Sequence, residues 1–336
     1  MDPVRAPNIR DVARVAGVSY QTVSRVLNDS PSIRVETRQR VEAAIAELGY
    51  RPNPAARALV AGRSRTIGLL SASTAYYGPA TAITSIEAAA REAGYRISIT
   101  SPASSDYASV AASVEYLLGQ GVEALVVVAP QVRVFEAVRA LGLSVPVVTL
   151  ESAAISDAPS SLSVDQVEGA RVATRHLIEL GHEEILHIAG PQDWIEAEAR
   201  MQGYLRELDA HDLRTRAPIL GDWSSAFGYY AGLELLRVRD FTAVFAGNDQ
   251  MALGLQHACR DMGLDVPGDI SIVGFDDIPE AAHFAPPLTT VRQNFPELGR
   301  RALSLLLAQL RGEERADHSM VPPELVLRAS TAPPRR

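Results

Sequence analysis

The chain has 336 residues, room for two or three domains with separate cores, and its 47% apolar and 21% charged residues are those of a soluble globular protein. Its formal charge of −8 hides an asymmetry: residues 1–65 carry eleven arginines against six carboxylates, a net +5, leaving −13 for the remainder. One cysteine excludes an internal disulfide, the longest apolar runs, such as Ala124 to Pro130, are too short to span a bilayer, and Met1-Asp2-Pro3-Val4-Arg5 does not read as an export signal, so a cytoplasmic protein is expected.

A small basic head on an acidic body suits a protein that offers one end to a polyanion. The first helix is predicted after Asn8, a cap residue, with Asp11 near the positive end of its dipole and Ile9, Val12, Ala13 and Ala16 as its buried stripe. Gly17 marks a tight turn and Ser19 caps a second helix, whose inward face is Val18, Thr22, Val23, Val26 and Leu27. Its other face carries Tyr20, Gln21, Ser24, Arg25 and Asn28. Such side chains read base edges: Arg chelates a guanine and Gln an adenine in the major groove. Two short helices joined this way make a helix-turn-helix, although the pair alone also fits a plain helical hairpin.

A third helix is predicted from Arg34 to Leu48, with Val41, Ala44, Ile45 and Leu48 inward and Gly49 ending it. Then come Asn53 as a cap, Pro54 at a first helical position and Gly62 as a stop. A helix of barely two turns does not hold in water by itself. The segment is therefore either a helix that needs a partner or a linker bounded by Pro and Gly.

From Thr66 the pattern alternates. Strands are predicted at Ile67–Ser71, Arg96–Thr100, Ala124–Ala129 and Val145–Leu150, with helices near 79–94, 107–119 and 132–141, and after Leu162–Val164 the alternation resumes. A helix from Val167 to Leu180 follows. Strands at Ile185–Ala189, Ala243–Ala246 and Ile270–Phe275 then alternate with helices near 196–209, 225–237 and 249–262. The pattern implies two doubly wound lobes of parallel sheet covered on both faces. No Gly-x-Gly-x-x-Gly or phosphate-cradling lysine motif follows a first strand, so nucleotide binding of those types is unsupported; no cofactor is expected. His176, His182 and His187 lie close in sequence but on a helix, its cap and a strand, so no metal site is expected either. Cys259 falls inside an apolar helix with Ala252, Leu255 and Ala258, where a thiol is buried and inert.

These blocks resemble the lactose-repressor (LacI/GalR) family of bacterial transcription regulators. The likeness rests on Asp11-Val12-Ala13-x-x-Ala16-Gly17-Val18-Ser19, Thr22 to Asn28 and Tyr50 to Leu59. In the body it rests on Leu180-Gly181-His182, Asn248 to Ala252, Ile272 to Asp277 and Pro287 to Val291. Tyr20-Gln21 with Arg25, Trp223 after Gly221-Asp222, and Gln293 with Phe295 look most like the member that gives the family its name. The resemblance implies a helix-turn-helix head at 1–51 and a hinge helix and linker at 52–65. It implies a periplasmic-binding-protein-like core with one lobe at 66–164 and 295–323 and the other at 165–294 and 324–330.

It further implies a homodimer on a palindromic operator in double-stranded DNA. Tyr20, Gln21 and Arg25 would read bases, and Ser24, Asn28, Thr37 and Asn53 would position the head on phosphate or sugar. Ile9, Tyr50 and Ala56 are further candidate contacts, and Leu59 would wedge into a central base step from the minor groove. No C-terminal apolar heptad follows Leu327, so a dimer rather than a tetramer is expected.

A small effector, most simply a galactoside-like sugar, would sit between the lobes at the carboxyl ends of the strands. Candidates at matching positions are Arg200, Trp223, Asn248, Asp276, Gln293 and Phe295, with Gly78, Pro79 and Glu151 closing from the first lobe. Each also has a plain structural reading: Asp276-Asp277 as a strand-ending turn, Asn248 as a helix cap, Trp223 and Leu59 as core. Three alternatives stand beside the sugar-released repressor: a regulator dependent on a purine or other corepressor, a sugar carrier, and a sugar-modifying enzyme. The carrier lacks an export signal and the enzyme lacks an evident nucleophile.

Overall fold

A computed structural model describes residues 7–27, 30–51, 63–72, 75–129, 131–150, 160–313 and 320–335. The chain divides into two compact units, Met1–Ser64 and Arg65–Arg336. Asn28, Asn53, Ala56, Leu59, Glu151 and most of the expected hinge segment lie outside the described residues.

In the first unit α1 (Ile9–Ala16) opens on a full capping box. Asn8 Oδ1 accepts from the Arg10 and Asp11 amides at 2.8 and 3.2 Å, and Asp11 Oδ2 accepts the Asn8 amide at 2.9 Å. The helix ends at Gly17 with φ 61°, a left-handed turn that a side chain would strain. Ser19 Oγ accepts the Thr22 amide at 3.2 Å and so starts α2 (Tyr20–Leu27), followed by α3 (Val35–Leu48). Val12, Ala13, Ala16, Val23, Val26, Val41 and Ala44 form the core, and Ile45, Leu48, Ile9 and Tyr50 pack around it half-buried.

The second unit holds two sheets. The first has order β2-β1-β3-β4-β5, all parallel, from β1 (Thr66–Ser71), β2 (Arg96–Thr100), β3 (Ala124–Val128), β4 (Val147–Leu150) and β5 (Ser161–Leu162). Helices α4 (Tyr77–Glu92), α5 (Tyr107–Gly119) and α6 (Val132–Ala140) connect its strands. The second sheet has order β11-β10-β9-β8-β6-β7. Its strands are β6 (Ile185–Ala189), β7 (Ile219–Leu220), β8 (Ala243–Ala246), β9 (Ser271–Asp276), β10 (Thr289–Arg292) and β11 (Glu324–Val326). Only β11 runs antiparallel to its neighbour. Helices α7 (Gln166–Glu179), α8 (Ile195–Ala210), α9 (Ser225–Val238) and α10 (Asp249–Asp261) belong to this lobe. Each sheet starts with the same strand pattern, second-first-third-fourth-fifth, with the crevice at the reversal of order.

The expected strands and helices of this unit are present, displaced by at most a few residues at their ends. A short further strand, β5, ends at Leu162, and Val164 makes an isolated parallel bridge to Val321. After β10 the chain returns to the first sheet as α11 (Phe295–Arg311), which packs on α4 and along β4, and then crosses back to β11. The chain therefore passes between the lobes three times. The first two passes are joined by a hydrogen bond from Gln166 Nε2 to Gln293 Oε1, 2.7 Å.

Close backbone approach fixes α9 against α10. A Cβ on Gly254 would stand 2.0 Å from the Ser225 carbonyl oxygen, and one on Gly228 2.1 Å from that of Met251. The C-terminal segment is bound along the second sheet. Buried Ser330 Oγ accepts the Thr289 amide at 2.8 Å and donates to the Ile272 carbonyl at 2.6 Å, while His182 Nε2 lies 2.9 Å from the Ala332 carbonyl. Among the described residues no helix is long and apolar enough to cross a membrane, and no group of three or more His, Cys, Asp or Glu could hold a metal ion.

Candidate functional site

On the head, α2 presents Tyr20, Gln21 and Arg25 to solvent, Tyr20 at 56% exposure, while Val23 and Val26 anchor the opposite face. Ser24 of α2 and Thr37 of α3 are half-buried. An exposed arginine and glutamine four residues apart on a rigid two-turn helix can reach adjacent base edges. Burial of Val23 and Val26 sets the rotation of that helix.

In the second unit, a cavity of about 340 Å³ lies between the lobes at the carboxyl ends of the strands. The lining comprises the segment after β1, the ends of β3 and β4, and the segments after β6, β7, β8, β9 and β10. Gly78, Pro79, Arg200, Trp223, Asn248, Asp276, Gln293 and Phe295 all line it. These eight candidates come from six separate stretches of chain and meet in one cavity.

Four side chains close a polar ring in it. Arg200 Nε donates to Gln166 Oε1 at 2.9 Å, Gln166 Nε2 to Gln293 Oε1 at 2.7 Å, and Gln293 Nε2 to Asp276 Oδ1 at 2.7 Å. Arg200 Nη2 closes it on Asp276 Oδ1 at 3.4 Å. Every member is buried, so each amide is held in one orientation. Arg200 is also stacked on Phe275, with its guanidinium carbon 3.8 Å from the ring centroid, and stands 5.4 Å from that of Trp223. Burial pushes the Asp276 carboxyl up and the Arg200 guanidinium down from their ordinary ranges, and their mutual attraction only partly offsets it. Asp276 Oδ2 has no hydrogen-bond partner among the described residues, which leaves a carboxylate oxygen for a ligand donor.

The structural readings prove compatible with cavity lining. Asn248 does cap α10, its Oδ1 accepting the Met251 amide at 2.9 Å, and its Nδ2 donates to the Trp223 carbonyl at 3.0 Å. Trp223 is buried and belongs to the second lobe's core, yet it also faces the cavity. Asp277 is a structural residue, pinned by Arg328 at 2.6 Å and Arg292 at 2.7 Å. Trp223, Asp276 and Asp277 have φ of 71°, 107° and 51°, left-handed values that cost side-chain-bearing residues roughly 1–3 kcal/mol each. Strain clustered in one crevice marks residues whose placement the surrounding fold dictates.

Gln166, Tyr76, Tyr77, Trp194 and Glu196 also line the cavity and were not singled out from sequence. Gln166 sits in the first turn of α7 beside its cap Asp165, where it reads as an ordinary helix start. Trp194 and Glu196 follow the carboxyl end of β6, a position where a ligand-facing residue is expected in a doubly wound sheet. Asp249 shows the opposite case. It stands in the Asn248 to Ala252 block, but its carboxylate is fully buried, accepting from Thr290 Oγ1 and the Ile278 amide, and burial raises its pKa well above the usual carboxylate range. The neighbouring histidines are structural. His187 is fully buried and stacked on Phe245 at 4.5 Å, with its Nδ1 2.9 Å from the Phe245 carbonyl. Cys259 is buried and its thiol pushed up to about 12 by burial.

The profile of bacterial regulatory proteins of the lacI family matches residues 8–53, and that of the periplasmic binding protein-like domain matches residues 174–331. The lactose operon repressor of Escherichia coli strain K12 is 35% identical over 99% of this chain and 92% of its own length. The HTH-type transcriptional repressor PurR of Proteus mirabilis strain HI4320 is 34% identical over 96% of each chain. The crystal structure of the lac repressor dimer bound to operator and the anti-inducer ONPF superposes with a TM-score of 0.88 at 34% identity, covering 98% of this chain and all of that one. These relatives are repressors, not enzymes, and they match both the head and the two-lobed body over almost their whole lengths. The chain belongs to the LacI family of bacterial DNA-binding transcriptional regulators.

Proposed function

We propose that this regulator is a cytoplasmic repressor that binds a palindromic operator as a dimer and is released by a sugar. The observation that carries the reading is the buried ring of Arg200, Gln166, Gln293 and Asp276. It offers fixed donors and a spare carboxylate oxygen beside the indole of Trp223, the combination a pyranose needs for its hydroxyls and its C–H face. Gly78, Pro79 and Phe295 close on the ligand from the first lobe, as would Glu151. Because Gln166 and Gln293 stand where the chain crosses between lobes, a ligand bonded to their partners biases the lobe-to-lobe angle.

In this reading Tyr20, Gln21 and Arg25 read bases. Ser24, Asn28, Thr37 and Asn53 contact phosphate or sugar, Ile9, Tyr50 and Ala56 are further DNA contacts, and Leu59 wedges the central step. The chain is organised as head 1–51, hinge 52–65, and lobes at 66–164 with 295–323 and at 165–294 with 324–330. The sugar separates the paired hinges, and reciprocity requires operator DNA to weaken sugar binding by the same factor; a coupling of about 1–3 kcal/mol changes affinity roughly 5–150-fold. The test is fluorescence anisotropy on a labelled inverted-repeat duplex, with and without a panel of galactosides, glucosides and purine bases. A galactoside or other sugar that weakens operator binding supports the reading. A purine that tightens it makes the protein a corepressor-dependent regulator instead, and a duplex preference absent under every condition removes the DNA-binding account.

A further inference from the structure

The polar ring occupies only part of the cavity, and the remainder is aromatic. We propose that this aromatic part is a subsite for the second ring of a disaccharide and that Trp194 is the residue that selects for it; the proposal rests on the sugar reading above. Trp194 is half-buried at the start of α8. It stands edge-on to Tyr76 of the first lobe at a centroid distance of 5.0 Å, and to Trp223 of the second at 5.5 Å. All three rings line the cavity, so they form one aromatic row that reaches from lobe to lobe.

The row is built into the fold and is not a set of loose surface rings. The backbone of Trp194 makes an antiparallel bridge to Gln131 in the first lobe. Its neighbour Ile195 is 2% exposed and packs into the first lobe's core with Phe135 and Val138. Trp194 is therefore held from both sides before a ligand arrives, which lowers the ordering cost of binding. A single pyranose on the ring and Trp223 leaves Tyr76 and Trp194 facing water. A second pyranose can lay its C–H face on Trp194, with Tyr76, at 85° to that ring, bounding its edge. Glu196 and Ser225, each two residues beyond one of the tryptophans, also line the cavity, so the second ring meets hydroxyl-binding groups and not hydrocarbon alone.

Titration calorimetry on the full chain tests this with methyl β-D-galactoside, methyl β-D-glucoside, lactose and cellobiose. The expected result is that one disaccharide binds at least tenfold more tightly than the methyl glycoside of its own non-reducing sugar, about 1.4 kcal/mol. Trp194→Ala reduces that ratio to about twofold or less, Trp194→Phe restores most of it, and Tyr76→Ala lowers it independently. Operator affinity and circular dichroism verify that each variant is folded. Disaccharide and methyl glycoside binding equally well would overturn the second-ring subsite and leave the sugar reading standing. A ratio that survives both Trp194→Ala and Tyr76→Ala would remove the aromatic row from the explanation. No heat from any of the four sugars would overturn the sugar reading, and this proposal with it.

Discussion

Asp276→Asn separates ligand recognition from folding and from DNA binding. The asparagine can keep Oδ1 as acceptor for Gln293 Nε2, now 2.7 Å away, but it converts the unbonded Oδ2 into an amide donor. A ligand hydroxyl that donated to the carboxylate then loses a charged hydrogen bond worth about 1.5–3 kcal/mol, roughly a 10–150-fold loss of sugar affinity. The cost to stability is smaller than the ~3–5 kcal/mol of breaking a well-formed buried ion pair. Arg200 meets Asp276 at only 3.4 Å and keeps its bonds to Gln166 and the Gly247 carbonyl. Burial has also already raised the carboxyl's pKa, so less is forfeited when the charge goes. Calorimetry with the best sugar of the panel, urea unfolding and operator anisotropy read the three quantities separately. The variant is expected to bind operator as the wild type does and to stay bound at sugar concentrations that release the wild type. Wild-type sugar affinity in this variant would show that the ring does not contact the effector.

Arg25→Ala is expected to flatten base preference at one position of each half-site by about 1–3 kcal/mol, measured with single-base operator variants; uniform weakening on all of them would make Arg25 a backbone contact. Gly254→Ala places a methyl 2.0 Å from the Ser225 carbonyl oxygen and is expected to lower stability by at least ~1–3 kcal/mol in urea unfolding, with an unchanged midpoint contradicting the close α9–α10 approach. Acidification is expected to destabilise the body through His187, whose burial lowers its pKa to about 4 from 6.5. The folded state then binds fewer protons than the unfolded one between those values, so this stability is complete above pH 6.5 and lost as pH falls to about 4, some 3 kcal/mol at 1.36 per unit. His187→Gln should flatten the dependence of the urea midpoint on pH over that window; an identical slope would place the effect elsewhere. Glu207 adds a fall at lower pH: burial pushes its carboxyl up, but bonds from Arg175 and Arg171 outweigh it and lower the net value, so its contribution is present at neutral pH and disappears as the carboxylate protonates.

What was legible in the sequence was what local chemistry decides. Asn8 with Asp11, Gly17 and Ser19 specify the head's turns because a cap and a left-handed residue act within one helical turn. Alternation from Thr66 onward gives two doubly wound sheets because strand and helix periods are local as well. The path of α11 is a different kind of fact. Phe295, Leu298, Ala302, Leu305 and Leu306 carry a helical stripe that could have been read, but no residue in it states that the helix returns to the first sheet. Only family resemblance placed 295–323 there. The same limit governs the site. Asp276 could be found because it follows a predicted strand in a recognisable block, and Trp223 because its position matches the family resemblance. Gln166 could not, since its part in the ring depends on Gln293, 127 positions away, reaching the other crossover. Asp249, in the same block as Asn248, ties Thr290 to the turn after β9. The block Asn248 to Ala252 therefore mixes a residue that lines the cavity with one that holds the crevice in shape. Only the destination of each side chain separates them: Asp276 Oδ2 is left with an unused acceptor, whereas both oxygens of Asp249 are already bonded.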